Sequence, residues 1–176
     1  MGENPARGEE GWGTTEPERD PMFNTILLPL DGSDLSEKAI PLAVDLAKRY
    51  QSQLWLMRAM WPLEVWPPDI YVLDDQAYTR VTDLDLKNCV KYLDKKVAEL
   101  QALGVEKVGA LAPVHTRLPE EWICQQATDH HADVIVMSFH GRSGMNRFFH
   151  GSVAEHVARQ AQCPVLLVPV HETKPG

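Results

Sequence analysis

The amino-acid sequence predicts an α/β fold: an open doubly wound five-stranded parallel sheet with helices on both faces. Two observations support this prediction. Five short apolar runs have the length of buried strands, and segments with apolar residues at helical spacing separate them. Strands that alternate with helices pair in parallel through right-handed crossovers. Ligands of such sheets bind beyond the carboxyl ends of the strands, so we expect functional residues in the loops that follow them.

The first predicted strand lies at 26–30, and the first predicted helix at 34–49. Pro29 is expected at the end of the strand because proline has no N–H to donate to a ladder. Asp34 and Glu37 have the spacing of a capping box, and Pro41 should distort the first turns of the helix. The later elements are predicted, in chain order, as a strand at 53–60, a helix at 75–103, a strand at 107–114, a helix at 119–130, a strand at 134–137, a helix at 152–160 and a strand at 165–170.

The second predicted strand contains one charged residue, Arg58, which does not fit its apolar pattern. A segment rich in proline and aromatic residues follows from Trp61 to Tyr71 and cannot form a regular element. Such a segment is most often a packed surface loop. A lid over a pocket and an oligomer contact are the alternatives.

The segment that follows the fourth predicted strand has the order strand, glycine loop, helix. Gly141 and Gly144 open the loop, Gly151 closes it, and Ser152 begins the next helical pattern. A loop of this kind presents backbone N–H groups and the positive end of a helix dipole to an anion, while the glycines allow a close approach. The pattern therefore indicates a phosphate site.

The charges in this loop agree with an anionic ligand, although a simpler interpretation exists. Arg142 and Arg147 are the charged residues between positions 137 and 152, and the segment contains no Asp or Glu. The simpler interpretation is a capped turn, because Ser152 and Glu155 have the spacing of a capping box that needs no ligand.

Composition limits the classes of partner. The chain has 17 Lys and Arg against 25 Asp and Glu, a formal charge of −8, which argues against nucleic acid or an anionic membrane surface as a general partner. No apolar run reaches the roughly 18 residues that span a bilayer. The three cysteines are widely spaced without a CxxC pair, which is typical of free thiols in a reducing compartment. We expect a cytoplasmic protein.

One domain fits the length of 176 residues. Residues 1–22 are predicted to form a flexible acidic tail, residues 23–171 the α/β domain and residues 172–176 a short C-terminal tail.

Over about Phe23–Val170 the sequence resembles the universal stress protein family. Three stretches carry the resemblance: ILLPLDGSDLSEKAIPLAVDLA, ADVIVMSFHGRSG and FFHGSVAEHVARQAQCPVLLVPV. ATP-binding members of the family have Gly, two residues, Gly, nine residues, Gly, and then Ser or Thr. Gly141, Gly151 and Ser152 match the second half of this pattern, whereas Ser138 stands where the first Gly belongs. A serine side chain is small and can still bond a ribose or phosphate oxygen.

The resemblance implies the strand order 3-2-1-4-5, with ATP and Mg²⁺ bound across the first and fourth strands. Asp31 would lie near the metal and phosphates and act on Mg²⁺ indirectly, through bound Mg-ATP. The residues implied for nucleotide binding are Pro29, Asp31, Ala59, Met137, Ser138, His140, Gly141, Gly151, Ser152 and Val153. Charge alone adds Arg142 and Arg147. The resemblance also implies a homodimer formed through the last strand, Val165–Val170.

No catalytic motif accompanies these residues. GxxxxGK[ST] and GxSxG are absent from the sequence, so turnover beyond slow ATP hydrolysis is not indicated. The first hypothesis is a cytoplasmic ATP-binding stress and signalling module that acts as a dimer on unknown protein partners. The alternative is a nucleotide-free dimeric scaffold, which Ser138 favours. A response-regulator-like phosphoacceptor is disfavoured because the third predicted strand ends at Pro113, Val114 and His115, without an aspartate.

Overall fold

The computed structural model describes residues 22–58, 75–111, 118–140 and 152–170, with the backbone alone described at 75–83, 140 and 152. Within these ranges the strands are all parallel and lie in the order β3-β2-β1-β4-β5. The elements are β1 (Thr25–Leu30), α1 (Ile40–Tyr50), β2 (Gln53–Arg58), α2 (Asp75–Ala102), β3 (Val108–Ala110), α3 (Pro119–Asp129), β4 (Val134–His140), α4 (Ser152–Gln160) and β5 (Val165–Val170), with a short 3-10 helix (Ser36–Ala39) before α1. Both the predicted fold class and the implied strand order are confirmed.

The two faces of the sheet pack against different helices. Ile26, Leu28 and Leu30 of β1 join the apolar cluster under α1 and α2, whereas Leu27 joins the cluster under α3 and α4. This alternation follows from the two-residue period of a strand, and it makes both faces of β1 apolar. The strand is buried over five of its six residues. Helices on both faces make the sheet doubly wound, as predicted.

The ladder between β1 and β4 is short. β1 pairs with β2 over all six residues, whereas its pairing with β4 covers Ile26 with Val134 and Leu27 with Ile135. The backbones of β1 and β4 are therefore not paired with each other towards their carboxyl ends. In an open parallel sheet, the point where two neighbouring strands separate is the usual position of a ligand crevice.

Pro29 accounts for the end of this ladder. The N–H of Asp133 donates to the C=O of Thr25 at 2.9 Å, so the odd-numbered residues of β1 direct their backbone groups towards β4. Pro29 follows Leu27 in that series and has no N–H to donate. The residue expected at the end of the strand is in fact the penultimate residue of β1, and it stops the ladder on one side only.

The predicted capping box at Asp34 and Glu37 is wrong. Ser33 caps the turn instead: its hydroxyl accepts the N–H of Ser36 at 3.1 Å, and its C=O accepts the Ser36 hydroxyl at 2.9 Å. The Glu37 carboxylate is bonded to α2, so a long-range contact replaces the local cap. The expected distortion near Pro41 is present as the 3-10 helix before α1.

Two strand lengths differ from prediction. β3 is shorter than expected among the described residues, where it covers Val108–Ala110 and pairs with β2. The predicted part beyond residue 111 lies outside the described residues. β4 is longer and continues to His140 along β5. No helix in the described ranges has the length and apolarity that a bilayer crossing requires.

Candidate functional site

The residue that follows β1 forms a tight polar turn at the carboxyl edge of the sheet. Asp31 Oδ1 accepts the N–H of Ser33 at 2.8 Å, and the N–H of Asp31 donates to the Ser36 hydroxyl at 3.3 Å. Gly32 occupies a left-handed conformation with φ +89°, which glycine adopts without strain. Gly32 therefore gives this turn its conformational freedom, and the N–H of Ser33 holds the Asp31 carboxylate at this edge.

The Asp31 carboxylate is held in its ionised form. Burial is the largest influence and acts to raise its pKa, but the hydrogen bonds from Ser33 and Ser36 together outweigh burial, and the pKa of Asp31 is lowered. Bonds that favour the charged form have this effect. An ionised oxygen ligand is the type that Mg²⁺ prefers, so Asp31 fits a place beside a magnesium-bound phosphate.

The carboxyl end of β4 lies next to the carboxyl end of β1 in the sheet. Met137 is buried and belongs to the cluster under α3 and α4, and Ser138 is half-buried and in register with Val168 of β5. Alternation along the strand places the Ser138 side chain on the opposite face, the one covered by α1 and α2. Pro29 shares the face of Leu27 and Met137 by the same alternation.

The structure thus brings part of the predicted site together. Pro29 and Asp31 lie at the end of β1, and Met137 and Ser138 lie in the neighbouring strand. Val153 is half-buried in the first turn of α4, which begins at Ser152 as predicted and packs against the same cluster as Met137. The backbones of His140 and Ser152 are placed, but their side chains are not described. The predicted site residues outside the described ranges are Ala59, Gly141, Arg142, Arg147 and Gly151.

Sequence reasoning missed a second polar group at this edge. The Arg58 guanidinium lies beside Gly32, where a Cβ would come within 3.2 Å of Nη2, and its Cζ lies 5.4 Å from the centroid of the Tyr92 ring. The Tyr92 hydroxyl donates to Glu37 at 2.9 Å, and Lys96 Nζ donates to the same carboxylate at 2.8 Å. One signal was available in the sequence: Arg58 was the charged residue in an apolar strand.

A further polar pair lies between α3 and α4. His156 Nδ1 is 3.5 Å from Oε1 of Glu120, and Glu120 is buried in the first turn of α3. Across the described residues, no cluster of three His, Cys, Asp or Glu side chains has the arrangement of a metal site.

These features define the class as a doubly wound α/β protein with a polar turn at the switch point of its sheet. The sequence profile of the universal stress protein family matches residues 22–169. A universal stress protein of Thermus aquaticus is 35% identical over 148 residues, which cover 84% of this chain and 99% of that protein. The chain belongs to the universal stress protein family.

Other relatives agree with this assignment. Universal stress protein MJ0531 of Methanocaldococcus jannaschii is 29% identical over 151 residues, covering 84% of this chain and 82% of that protein. The solved structure of UspA from Lactobacillus plantarum matches with a TM-score of 0.67 at 21% identity, covering 82% of this chain and 97% of that one. At this identity the likeness concerns the fold.

Two solved structures of similar fold contain nucleotides. A universal stress protein in complex with cAMP matches with a TM-score of 0.58 at 20% identity, covering 85% of this chain and 98% of that one. The universal stress protein of Archaeoglobus fulgidus in complex with dAMP matches with a TM-score of 0.54 at 18% identity, covering 83% and 98%. The ligands cAMP and dAMP are those of the two related proteins.

Proposed function

We propose that this universal stress protein binds ATP, as Mg-ATP, in the crevice between β1 and β4, and acts as a nucleotide-responsive dimeric stress and signalling module in the cytoplasm. One observation carries the proposal: the β1–β4 ladder stops after Leu27 and Ile135, and the ionised Asp31 is held at the opening. The cAMP and dAMP complexes of the two structural relatives support a nucleotide as the ligand class.

In this proposal the two strands provide different parts of the site. Pro29 lies near the adenosine and Ala59 near the base, while Asp31 lies beside the metal-bound phosphates. The ribose and first phosphates are lined by Met137, Ser138, His140 and Gly141. The remaining proposed ligands follow β4 and open α4, where backbone N–H groups and arginines meet phosphate: Arg142, Arg147, Gly151, Ser152 and Val153. Binding at a helix N-terminus of this kind needs no catalytic residue. Occupancy, rather than turnover, is then the signal.

Thermal unfolding with and without Mg-ATP tests the proposal. A ligand at 100 times its dissociation constant stabilises the folded state by about 2.7 kcal/mol. We expect a rise of several degrees in the wild-type protein and no rise in Gly151→Val, because a branched side chain would block the approach of phosphate to the backbone. Ala158→Val places a valine at an exposed position of α4 and is the matched control. It should respond like wild type.

Ser138 favours one alternative, a nucleotide-free dimeric scaffold. Its side chain occupies the position where the ATP-binding pattern has glycine. The same experiment separates the two functions. An unchanged melting temperature at millimolar Mg-ATP would support the scaffold, and a full response in Gly151→Val would show that the glycine loop does not hold the phosphates.

A further inference from the structure

Arg58 is the last residue of β2. It lies at the carboxyl edge of the sheet, where the nucleotide is proposed to bind. It is in register with Leu30, the residue before Asp31. It follows Leu54 and Leu56 at a spacing of two, which puts its side chain on the face covered by α1 and α2. Its side chain is half-buried there. A guanidinium at this point lies next to the Asp31 turn.

Three neighbours hold the guanidinium in place. A Cβ on Gly32 would come within 3.2 Å of Nη2 and 3.3 Å of Cζ, so the guanidinium lies beside the turn. The Tyr92 ring lies under Cζ at 5.4 Å, a cation–π distance. The buried Cys89 thiol is the third neighbour: burial raises its pKa, although the charge of Arg58 and a hydrogen bond from the guanidinium to the thiol act in the opposite direction. The position of the charge is therefore well defined.

The nearby carboxylates have other partners. Glu37 accepts bonds from Tyr92 and Lys96, and Asp31 accepts the N–H of Ser33. Among the described side chains, no carboxylate oxygen lies within 4.0 Å of an Arg58 nitrogen. Arg58 Nε is also buried without a hydrogen-bond partner in that part of the chain.

Where a half-buried cation lacks a counter-charge, the folded state loses stability, and a bound anion removes that cost. A guanidinium suits phosphate especially well, because its N–H donors match two oxygens of the group at once. Phosphate is also the anionic part of a nucleotide.

We propose that Arg58 binds a phosphate group of the nucleotide from the β2 side of the crevice, with Tyr92 as the platform that orients it. This inference rests on the proposed function. It assigns phosphate recognition to β2 and α2 in addition to the glycine loop. The alternative is that Arg58 has a structural role only and holds the Asp31 turn in place.

Arg58→Met tests the inference in titrations with adenosine, AMP and ATP, each in the presence of Mg²⁺. Methionine keeps much of the apolar stem and removes the charge. We expect the affinity for ATP to fall by about tenfold or more, a loss typical of a charge-assisted bond. The affinity for adenosine should change by less than about twofold. Arg58→Lys should recover part of the ATP affinity because it restores the charge without the bidentate geometry.

Lys95→Met is the matched control, since Lys95 lies on α2 with 72% of its side chain exposed. It should leave all three affinities unchanged. Equal losses for adenosine and ATP in Arg58→Met would show a structural contact and overturn the inference. Unchanged ATP binding in Arg58→Met would also overturn it while leaving the proposed function intact. Failure of the wild-type protein to bind any of the three ligands would instead contradict the proposed function itself.

Discussion

The side chain of Ser138 determines how closely a nucleotide can approach the backbone of β4. It is half-buried near the end of β4, beside the strand whose ladder Pro29 interrupts. A glycine there would leave the backbone open to close approach, whereas serine presents a Cβ and a hydroxyl. The residue can therefore obstruct a nucleotide or bond to it, and substitution separates the two effects.

We predict that Ser138→Gly binds Mg-ATP about fivefold more tightly than wild type, equivalent to about 1 kcal/mol. Glycine in a strand should also lower the free energy of unfolding by about 0.5–1 kcal/mol. Isothermal titration and urea unfolding measure the two effects separately. Ser138→Ala is the control, because it removes the hydroxyl and keeps the Cβ. Weaker ATP binding in Ser138→Gly would show that the hydroxyl is a ligand and not an obstacle.

At the scale of elements, α2 is tied to the turn that follows β1. Tyr92 and Lys96, one helical turn apart, both bond the Glu37 carboxylate, and Lys96 also lies 3.0 Å from Glu99. Arg58 joins the same group by its contact with the Tyr92 ring. These side-chain contacts connect the turn after β1 to α2.

This network predicts a loss of stability at alkaline pH. Burial, together with the bond to Glu37, raises the pKa of Tyr92. Burial acts to lower the pKa of Lys96, but the bonds to Glu37 and Glu99 outweigh it and raise the pKa. Folding therefore favours the protonated forms of both groups. Their contribution is fully present below their unfolded pKa values of about 10 and is lost as pH rises through the folded values.

The test is urea unfolding of wild type and Tyr92→Phe at increasing pH. The variant should lose about 1 kcal/mol at neutral pH with the hydroxyl bond, and its stability should fall less steeply above about pH 10. Tyr50→Phe is the control for loss of a phenol outside the network. Parallel alkaline slopes for wild type and Tyr92→Phe would contradict the assignment.

For the whole molecule, β5 is one of the two edge strands of the described sheet. β5 pairs with β4 along all six residues, and no other described strand pairs with it. Leu166 and Val168 pack against the core, whereas Leu167 is 36% exposed. An apolar edge strand without charges favours pairing with a second copy. We propose that the dimer forms there.

Leu167→Lys should convert that dimer to a monomer, because the charge would be placed in the contact between copies. Sedimentation equilibrium gives the mass directly. Leu103→Lys is the control, since Leu103 is 55% exposed at the end of α2, away from β5. A Leu167→Lys protein that keeps the wild-type mass would place the interface elsewhere.

The sequence predicted most of the helices and strands, but only part of the candidate site at the carboxyl edge of the sheet. The strands and α4 could be located because apolar runs and the Ser152 start are local signals. Ser33 replaces Asp34 as the cap because Glu37 is held by α2, a contact that no short-range pattern contains. The position of Arg58 over Tyr92 depends in the same way on how β2 and α2 pack.

Every role proposed for this protein depends on a nucleotide that binds between the carboxyl ends of β1 and β4. Isothermal titration of the wild-type protein, freed of any nucleotide carried from the cell, with Mg-ATP tests it most directly. We expect saturable binding of one nucleotide per chain, weakened by Gly151→Val and by Arg58→Met. The absence of binding heat at millimolar Mg-ATP, together with an unchanged melting temperature, would contradict it.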